Sequence, residues 1–450
     1  MTEAPPSPIR LSDGRVAVPG NRWDLLDEHA GRQVRVAVVI PFYEQHAQLA
    51  LTLAALEQQT YPHELLEVII ADDGSARAPK PESSLAVSVV RQGRNGFRAA
   101  AVRNLGARAA TAEVLCFLDA DTHPEPDYVS RIVRLPSVLP DALVVGRRRH
   151  AELDGWTPDR WRAWHAGGPA PEVLPEPQWL REAYDRTRGL LDVDHRSYRY
   201  VISSVMCCSR ALFTDIGGFD ESFTRYGGED WELAHRAVCS GAVLQHEPRA
   251  VAWHSGPDWA GRDVAERTAA KNHEALAVAR LVTDPDARRH GLRYDIPEVA
   301  VVVDVTGHTP GSLVATLACF LHLDVGIWLE GPSAGQLRHE LRDDDARISV
   351  GAVPAEVTSR CRFVLQVRGR AVLPQTSVSR LVAACGDPGV GEVDVTDGEV
   401  GVACRSSWAL NRIRRWSAES TALEGLYETH RLDAAELGLR HGSPDTSLAW

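Results

Sequence analysis

Residues 114–121 read VLCFLDAD, five apolar residues followed at once by two aspartates with one alanine between them. A continuous apolar run of this length is typical of a strand that is buried on both faces of a parallel sheet. In such sheets, ligands bind beyond the carboxyl ends of the strands. The segment therefore predicts a buried strand over 114–118 that places Asp119 and Asp121 at the ligand-binding edge.

Similar runs precede this segment in the chain. Strand patterns occupy residues 34–41, 66–71 and 85–90, and helix-compatible segments lie at 49–59 and 97–110. Strands that alternate with helices indicate an α/β fold built from βαβ units. We therefore predict a Rossmann-like, mixed but mainly parallel sheet with flanking helices.

A second acidic cluster, DDGS at 72–75, follows the apolar run at 66–71, and its glycine permits a sharp turn. Carboxylates at this edge could accept hydrogen bonds from a ribose hydroxyl or a base N–H. An ordinary aspartate-rich turn explains the same residues without a ligand. Arg103, in the alanine-rich helical segment that follows, could support these acids or contact a phosphate.

The third cluster, GGED at 227–230, places Glu229 and Asp230 at the start of a helix-compatible segment. Acids at this position stabilise the positive end of the helix dipole, which is the simplest explanation. A carboxylate there could also act as a general base toward an acceptor hydroxyl. The helix dipole would lower its pKa, so neighbouring acids or the substrate would have to raise it again. Capping and catalysis are compatible.

Asp119 and Asp121 form a carboxylate pair that suits a hard divalent cation, Mn²⁺ or Mg²⁺, which prefers oxygen ligands and shares its coordination with phosphate. Such a cation would offset the charge on a departing diphosphate. The DxD pattern alone is weak evidence for a metal site, but its position directly after an apolar strand makes this evidence stronger. His254 follows a short apolar run and is a candidate further ligand, although a lone histidine is more often a surface residue.

Composition excludes several classes of protein. The chain has 450 residues, of which 44% are hydrophobic and 24% charged, as in a globular protein of two or three domains. Its formal charge of −12 argues against a nucleic-acid partner or an anionic membrane surface. The sequence has neither an apolar run that could span a bilayer nor a secretory signal, and its eight cysteines form no CxxC or zinc pattern. We therefore predict a cytoplasmic protein.

The chain is predicted to have three parts. Residues 1–33 form an N-terminal extension, 34–285 the catalytic domain and 290–450 a second domain. Within the catalytic domain, residues 147–200 interrupt the strand–helix rhythm with tryptophans among prolines. The tryptophans of this insertion are Trp156, Trp161, Trp164 and Trp179. Such an insertion covers an acceptor site or fills a secondary core, and both alternatives stay open.

The second domain shows signs of being a repeat of the first half. VAVVV at 299–303 echoes VAVVI at 36–40. In the register set by the strand pattern at 363–367, RGR at 368–370 stands in place of DAD at 119–121, so two acids have become two bases. We interpret the second domain as a degenerate, non-catalytic α/β copy. The alternative is that the two segments are similar only because both are rich in valine and alanine.

In combination and order, these motifs resemble the nucleotide-sugar glycosyltransferases of the GT-A fold, family 2 in particular, over residues 34–260. They are especially similar to the bacterial chondroitin-polymerase branch and, more distantly, to the polypeptide GalNAc-transferases. The matching motifs are VVIPFYE (38–44), ADDGS (71–75), NGFRAAAVRNLGAR (95–108), FLDAD (117–121), GGFDESFTRYGGEDWELAHR (217–236) and the His254 segment.

The resemblance implies roles for individual residues. The uridine pocket would be lined by Pro41, Tyr43 and Glu44, with Asp72 or Asp73 reading the base or ribose and with Arg98 and Arg103 near the donor. Asp119 would contact ribose or sugar, and Asp121 and His254 would hold Mn²⁺. Glu229 would contact sugar hydroxyls or the acceptor, and Asp230 would be the catalytic base. Residues 255–263 would close over the nucleotide.

The reaction implied is transfer of a sugar from UDP-hexose or UDP-N-acetylhexosamine to a glycan, secondary-metabolite or peptide acceptor, by direct displacement with inversion. The polypeptide-modifying relatives retain configuration and have Asn after the matching Glu, so Asp230 favours inversion. Two other hypotheses stay open. One is a pseudo-enzyme or scaffold of a glycan or metabolite assembly, whose second domain recruits a partner or a second copy. The other is a nucleotidyltransferase, which also uses paired acids and a metal.

Overall fold

The computed structural model describes residues 7–12, 14–257, 264–289, 291–416 and 425–449. The chain divides into two compact units. The first comprises Met1–Val238 and Ala242–Val278, and the second comprises Cys239–Gly241 and Ala279–Trp450. The sequence predicted a boundary between 285 and 290, whereas the first unit ends at Val278.

Two short strands, β1 (Ile9–Arg10) and β2 (Val16–Ala17), pair with each other, and the first unit is otherwise built on a nine-stranded sheet. The strands of this sheet are β3 (Val36–Phe42), β4 (Leu66–Asp72), β5 (Ala86–Arg91), β6 (Val114–Leu118), β7 (Thr122–Pro124), β8 (Ala142–Glu152), β9 (Glu172–Leu174), β10 (Val205–Ser209) and β11 (Val243–Ser255). Their order is β5-β4-β3-β6-β10-β8-β11-β7, with β9 paired to β8. Among these described strands, only β7, β9 and β10 run against the rest, so the mainly parallel α/β sheet is confirmed.

Helices connect these strands. They are α1 (His46–Leu56), α2 (Ala99–Ala109), α3 (Tyr128–Ile132), α4 (Pro158–His165), α5 (Gln178–Arg186), α6 (Arg210–Asp215), α7 (Glu229–Cys239) and α8 (Val264–Leu281). Gly106 lets α2 approach the sheet, because a Cβ at this position would lie 2.4 Å from Val39 Cγ1. In the described part of the chain, no helix has both the length and the apolar character that a bilayer crossing requires.

The strand register brings the acidic clusters to one edge. β3 pairs in parallel with both β4 and β6, so Phe42 lies beside Asp72 and Val39 beside Phe117. The carboxyl ends of the three strands are therefore adjacent. The cores of these strands are almost fully buried, as the uninterrupted apolar runs predicted.

The N-terminal residues from 7 onward are integrated into the first unit instead of forming a separate extension. The buried amide of Asn21 donates hydrogen bonds to the carbonyls of Leu190 (2.6 Å) and Leu244 (2.9 Å). These bonds satisfy a buried polar group and fix the segment against residues far away in the sequence. The helix-compatible pattern that begins at Trp23 forms only a short 3-10 helix, Trp23–Leu26.

The tryptophans of the insertion at 147–200 differ in their burial. Trp156 and Trp161 are buried and form a secondary core with Trp253, against which Trp164 packs. Trp179, in the first turn of α5, is 48% exposed. Packing in this secondary core therefore accounts for three of the four tryptophans of the insertion. It does not account for Trp179.

The second unit has its own seven-stranded sheet, in the order β14-β13-β12-β15-β18-β17-β19, and a two-stranded ribbon of β16 and β20. The strands are β12 (Val299–Asp304), β13 (Val325–Glu330), β14 (Ile348–Val350), β15 (Phe363–Arg368), β16 (Ala371–Val372), β17 (Val390–Asp397), β18 (Val400–Ser406), β19 (Glu428–Leu432) and β20 (Arg440–His441). The helices are α9 (Pro310–Ala318), α10 (Ala334–Leu341), α11 (Ala355–Thr358), α12 (Gln375–Ala384), α13 (Ser407–Arg415) and α14 (Ala434–Leu437).

The two sheets share one topology. The strand order β5-β4-β3-β6-β10-β8-β11 corresponds one to one with β14-β13-β12-β15-β18-β17-β19, and each pair of neighbours has the same relative direction in both units. Val36 lies beside Val114 in one sheet, and Val299 lies beside Phe363 in the other. Counted from these pairs, Arg368 corresponds to Asp119.

Candidate active site

The strand ends and the first turn of α7 border a cavity of about 840 Å³ in the first unit. Eight of the twelve predicted site residues line it: Pro41, Tyr43, Asp73, Arg103, Asp119, Asp121, Glu229 and Asp230. The other four, Glu44, Asp72, Arg98 and His254, are not on its wall. Residues that are distant in the sequence therefore meet at one concave site, as expected for a ligand pocket.

Asp73, and not Asp72, faces the cavity. Asp72 is fully buried, its Oδ1 accepts a hydrogen bond from the backbone N–H of Ser75 (2.9 Å), and its Oδ2 lies 3.3 Å from Arg91 Nε. Asp73 lines the cavity and accepts a hydrogen bond from Arg94 Nη1 (2.8 Å). The turn-forming explanation therefore suits Asp72, and Asp73 is the candidate for contact with a ligand.

Tyr43 and Arg94 form a flat part of the wall. The Arg94 guanidinium lies 3.8 Å from the centroid of the Tyr43 ring, which is 42% exposed. This cation–π pair keeps an aromatic face and a positive charge next to Asp73. Arg94 directly precedes the matching motif that begins at Asn95, and it was not among the predicted site residues.

Glu44 and Arg98 do not line the cavity, but they contact segments next to its wall. Glu44 has a left-handed backbone (φ 57°), and its carboxylate accepts a hydrogen bond from the backbone N–H of Ala76. Arg98 donates to the carbonyl of Gly93 (2.6 Å), and its Nε lies 4.0 Å from Asp73 Oδ1. Both residues hold the loop that carries Asp73.

Arg103 is the electrostatic centre of the site. Its buried guanidinium donates to Asp119 Oδ1 (2.8 Å) and to Glu229 Oε1 (2.9 Å). The charges of these two carboxylates raise the pKa of Arg103 against the opposing effect of burial. Glu229 Oε2 is also buried and has no hydrogen-bond partner among the described residues, so one acceptor atom of this cavity-lining residue is left unsatisfied.

Replacing Arg103 by methionine is expected to destabilise the chain by about 3–5 kcal/mol, because the substitution leaves the buried Glu229 carboxylate without its counter-charge. Urea unfolding followed by tryptophan fluorescence measures this change. Arg108→Met is the matched control, since Arg108 and its partner Glu221 are 62% and 50% exposed. The control should cost less than about 1 kcal/mol. Equal losses in both variants would contradict the role assigned to Arg103.

Asp121 and His254 meet where the sequence predicted a metal site. His254 Nε2 lies 3.7 Å from Asp121 Oδ2, so these are the two side chains that would hold the ion. Withdrawal from bulk water raises the pKa of Asp121 although 26% of its side chain is exposed; His254 lowers it and Asp119 raises it. The Asp121 carboxylate therefore gains from additional positive charge; its oxygen suits Mn²⁺ or Mg²⁺, and the His254 imidazole as a further ligand favours the transition metal Mn²⁺ over Mg²⁺.

Asp230 lies in the first turn of α7 and lines the cavity. Burial and the charges of Glu229 and Glu274 raise the pKa of Asp230, Arg103 and the Trp231 N–H lower it, and the net result is a pKa of about 7. The opposing influence of a helix start, expected from the sequence, is thus outweighed by burial and neighbouring acids. A carboxylate with a pKa near neutrality is suited to accept a proton.

The glycine pair before Glu229 allows α7 to begin against α8. Gly227 and Gly228 have φ of 94° and 92°, and a Cβ on them would lie 2.9 Å from Glu274 Cδ and 2.8 Å from Val278 Cγ2. Both positions therefore require glycine. The close approach is what brings the charge of Glu274 near Asp230.

Three further charged residues of the cavity were not predicted from the sequence: Arg148 in β8, and Lys271 and Glu274 in α8. Lys271 Nζ pairs with Glu274 Oε2 at 2.6 Å. No local pattern marks Lys271 and Glu274 as functional. For Arg148, the run of three arginines at 147–149 was a sequence pattern that could have indicated a functional residue. Of the predicted closing loop at 255–263, residues 258–263 lie outside the described residues.

The family model for glycosyl transferase family 2 matches residues 37–203, from β3 to the segment before β10. The domain at residues 37–203 belongs to glycosyltransferase family 2. A second model, described as the N-terminal domain of galactosyltransferase, matches residues 192–250 and so includes Glu229 and Asp230. The GT-A fold and the enzyme class predicted for the family 2 domain are thereby confirmed.

Curated relatives include several glycosyltransferases. The chain is 30% identical to the chondroitin synthase of Escherichia coli over 60% of its own length and 41% of that protein. It is 28% identical to the hyaluronan synthase of Pasteurella multocida (56% and 27% covered) and 32% identical to the validoxylamine A glucosyltransferase of Streptomyces hygroscopicus subsp. limoneus (46% and 49% covered). The chain thus spans less than half the length of each relative. Among solved structures, GalNAc-T7 with UDP, GalNAc and Mn²⁺ matches with 18% identity and a TM-score of 0.41, over 57% of this chain and 50% of that one.

Proposed function

We propose that the family 2 domain is a metal-dependent, inverting glycosyltransferase that moves a hexose or N-acetylhexosamine from a UDP-linked donor to an acceptor hydroxyl. One observation carries this proposal. The carboxylate pair Asp119 and Asp121 shares a single cavity with Asp230, whose pKa is about 7. When a hydroxyl displaces a diphosphate, the negative charge on the leaving diphosphate must be stabilised, and a base must take the proton of the hydroxyl.

The donor nucleotide binds at the end of the cavity formed by Tyr43, Asp73 and Arg94. Asp73 accepts hydrogen bonds from the ribose or base, and the Tyr43 ring offers an aromatic face to the base. The choice of uridine comes from the resemblance to family 2 and not from a contact in the cavity. A Mn²⁺ or Mg²⁺ ion bound by Asp121 and His254 would stabilise the charge of the leaving diphosphate.

Asp230 is the general base. In its ionised form it takes the proton of the acceptor hydroxyl while that oxygen attacks the anomeric carbon from the face opposite the diphosphate, so the configuration inverts. Glu229 Oε2 accepts a hydrogen bond from a hydroxyl of the donor sugar, while Glu229 Oε1 keeps its hydrogen bond from Arg103. Arg103 thereby fixes Glu229 and Asp119 relative to each other before the substrates bind.

Product analysis tests this proposal against nucleotidyl transfer. The full chain is first screened with UDP-, GDP- and dTDP-sugars and Mn²⁺ by thermal shift, because a ligand that binds the folded state raises the melting temperature. We expect stabilisation by UDP-sugars and release of UDP. Release of pyrophosphate would instead establish a nucleotidyltransferase, and binding without turnover would favour a scaffold.

The second unit is assigned a non-catalytic role in this proposal. At the edge that corresponds to the active site, Arg370 donates hydrogen bonds to the carbonyls of Gly307 and Gly442 (2.8 Å each). The Thr309 hydroxyl donates to the carbonyl of Pro444 (2.7 Å). The chain's own C-terminal segment therefore lies at this edge. Recruitment of a partner or a second copy through this unit, and the cytoplasmic location, stay predictions.

A further inference from the structure

We propose that the acceptor is a carbohydrate, which binds by stacking the apolar face of a pyranose ring on Trp179. This inference rests on the proposed glycosyl transfer and adds the acceptor class. Trp179 lines the cavity that contains Asp230, yet 48% of the residue is exposed to solvent. A large aromatic ring left exposed in the wall of a cavity marks a binding surface, because covering it with an apolar face releases water.

The Trp179 ring is held on a rigid support. Pro177 precedes α5, and the face of this helix that carries Leu180, Ala183 and Tyr184 is buried. The Tyr184 hydroxyl donates a hydrogen bond to the carbonyl of Tyr200 (2.6 Å), and the Tyr200 ring lies 6.4 Å from that of Trp179. A platform fixed in this way loses little conformational entropy when a ligand stacks on it.

Polar groups line the same cavity as the platform. Arg148, Ser204 and Lys271 line the same cavity and are hydrogen-bond donors suited to hydroxyl groups. The cavity volume of about 840 Å³ lies near the upper end of the roughly 300–1,000 Å³ typical of small-molecule pockets, so a donor and an acceptor fit together. An aromatic face beside side-chain donors matches a sugar ring, which has apolar C–H faces and an equatorial rim of hydroxyls.

The strands beside the cavity argue against a peptide acceptor. Extended peptides are commonly held by pairing with an exposed strand edge. β3, which contributes Pro41 and Phe42 to this cavity, and β6, which ends directly before Asp119, are each paired with strands on both sides. These two strands therefore offer a peptide no free edge at the cavity, while the cavity offers a sugar both a platform and donors.

Steady-state transfer by the full chain tests the inference, with a UDP-sugar found by the product assay as donor. The probes are the methyl β-glycosides of glucose, galactose, N-acetylglucosamine and glucuronic acid, their β-linked disaccharides, and a serine- and threonine-containing peptide. We expect transfer to at least one glycoside. Trp179→Ala should raise the KM for that glycoside by about tenfold, while Trp179→Phe keeps most of the affinity and the KM for the donor stays within about twofold.

Val173→Ala is the matched control, because Val173 belongs to the same insertion, is 52% exposed and does not line the cavity. It should leave both KM values unchanged. Transfer to the peptide alone, transfer to no glycoside although UDP is released, or an unchanged acceptor KM in Trp179→Ala would each overturn the inference. Absence of any sugar-nucleotide turnover would instead overturn the proposed function itself.

Discussion

Replacing Asp230 by asparagine is expected to lower the rate of sugar transfer by about a thousandfold, which is within the range that a positioned general base contributes. Asparagine has nearly the same shape as aspartate but cannot accept the proton of the acceptor hydroxyl. Donor binding should survive, because Asp230 acts on the acceptor. Single-turnover transfer and UDP-sugar binding, measured on the same preparation, separate these two properties.

The pH profile gives an independent readout of the same residue. Asp230 accepts a proton only when it is ionised, and its pKa is about 7. The kcat/KM of the native chain should therefore rise with pH through about 7, and the residual activity of Asp230→Asn should not show this step. A profile that is flat between pH 6 and 8 in the native chain would remove Asp230 as the base.

Asp159→Asn is the control for Asp230→Asn. Asp159 lies on α4 in the same unit, and its side chain is 96% exposed, so its replacement should change neither the rate nor the pH profile. Asp230→Asn should also be no less stable than the native chain, because asparagine avoids burial of a charge. Full transfer by Asp230→Asn would refute the assignment of the base.

Replacing Asp121 by asparagine is expected to abolish the metal response of the enzyme and to lower transfer by about a thousandfold or more, because the metal supplies several kcal/mol of charge stabilisation. The measurement is a Mn²⁺ titration of donor binding, followed by the thermal shift with a UDP-sugar. The native chain should show saturable stabilisation by Mn²⁺ and donor together, which EDTA removes. In Asp121→Asn this joint stabilisation should be lost.

Two further variants locate the metal ligands. His254→Ala should weaken Mn²⁺ binding without removing it, because the Asp121 carboxylate remains. Asp127→Asn is the control, since its carboxylate lies a short way along the chain, is 43% exposed and pairs with Arg131 (3.0 Å). An unchanged Mn²⁺ response in Asp121→Asn would exclude that residue as a ligand, and transfer that persists fully in EDTA would refute metal dependence.

The strands of the first sheet could be predicted because their signal is local. The run at 114–118 and the observed β6 coincide, and the strand predicted at 66–71 ends one residue later in the structure. Continuous apolar runs have little alternative to burial on both faces of a sheet. The antiparallel direction of β10 was not predicted, since strand direction depends on connections and not on composition.

Individual site residues could be predicted only in part. The sequence left Asp72 and Asp73 equivalent, whereas the structure buries Asp72 against Ser75 and Arg91 and turns Asp73 to the cavity. Successive side chains at a strand end point in different directions, and the packing around them decides which one meets the ligand. Lys271 and Glu274 could not be predicted at all, because a helix from a distant part of the chain delivers them.

The sequence by itself determined the family 2 fold and the order of the acidic clusters, because buried strands and the residues that end them are encoded within a few positions. It also determined the exchange of Asp119 for Arg368 in the second sheet, which the strand register reproduces. Only the tertiary structure decided which acids share a cavity, which tryptophan of the insertion remains exposed, and that the pKa of Asp230 is about 7. These properties depend on desolvation and on charges that lie close in space but far apart in the chain, and no local pattern records them.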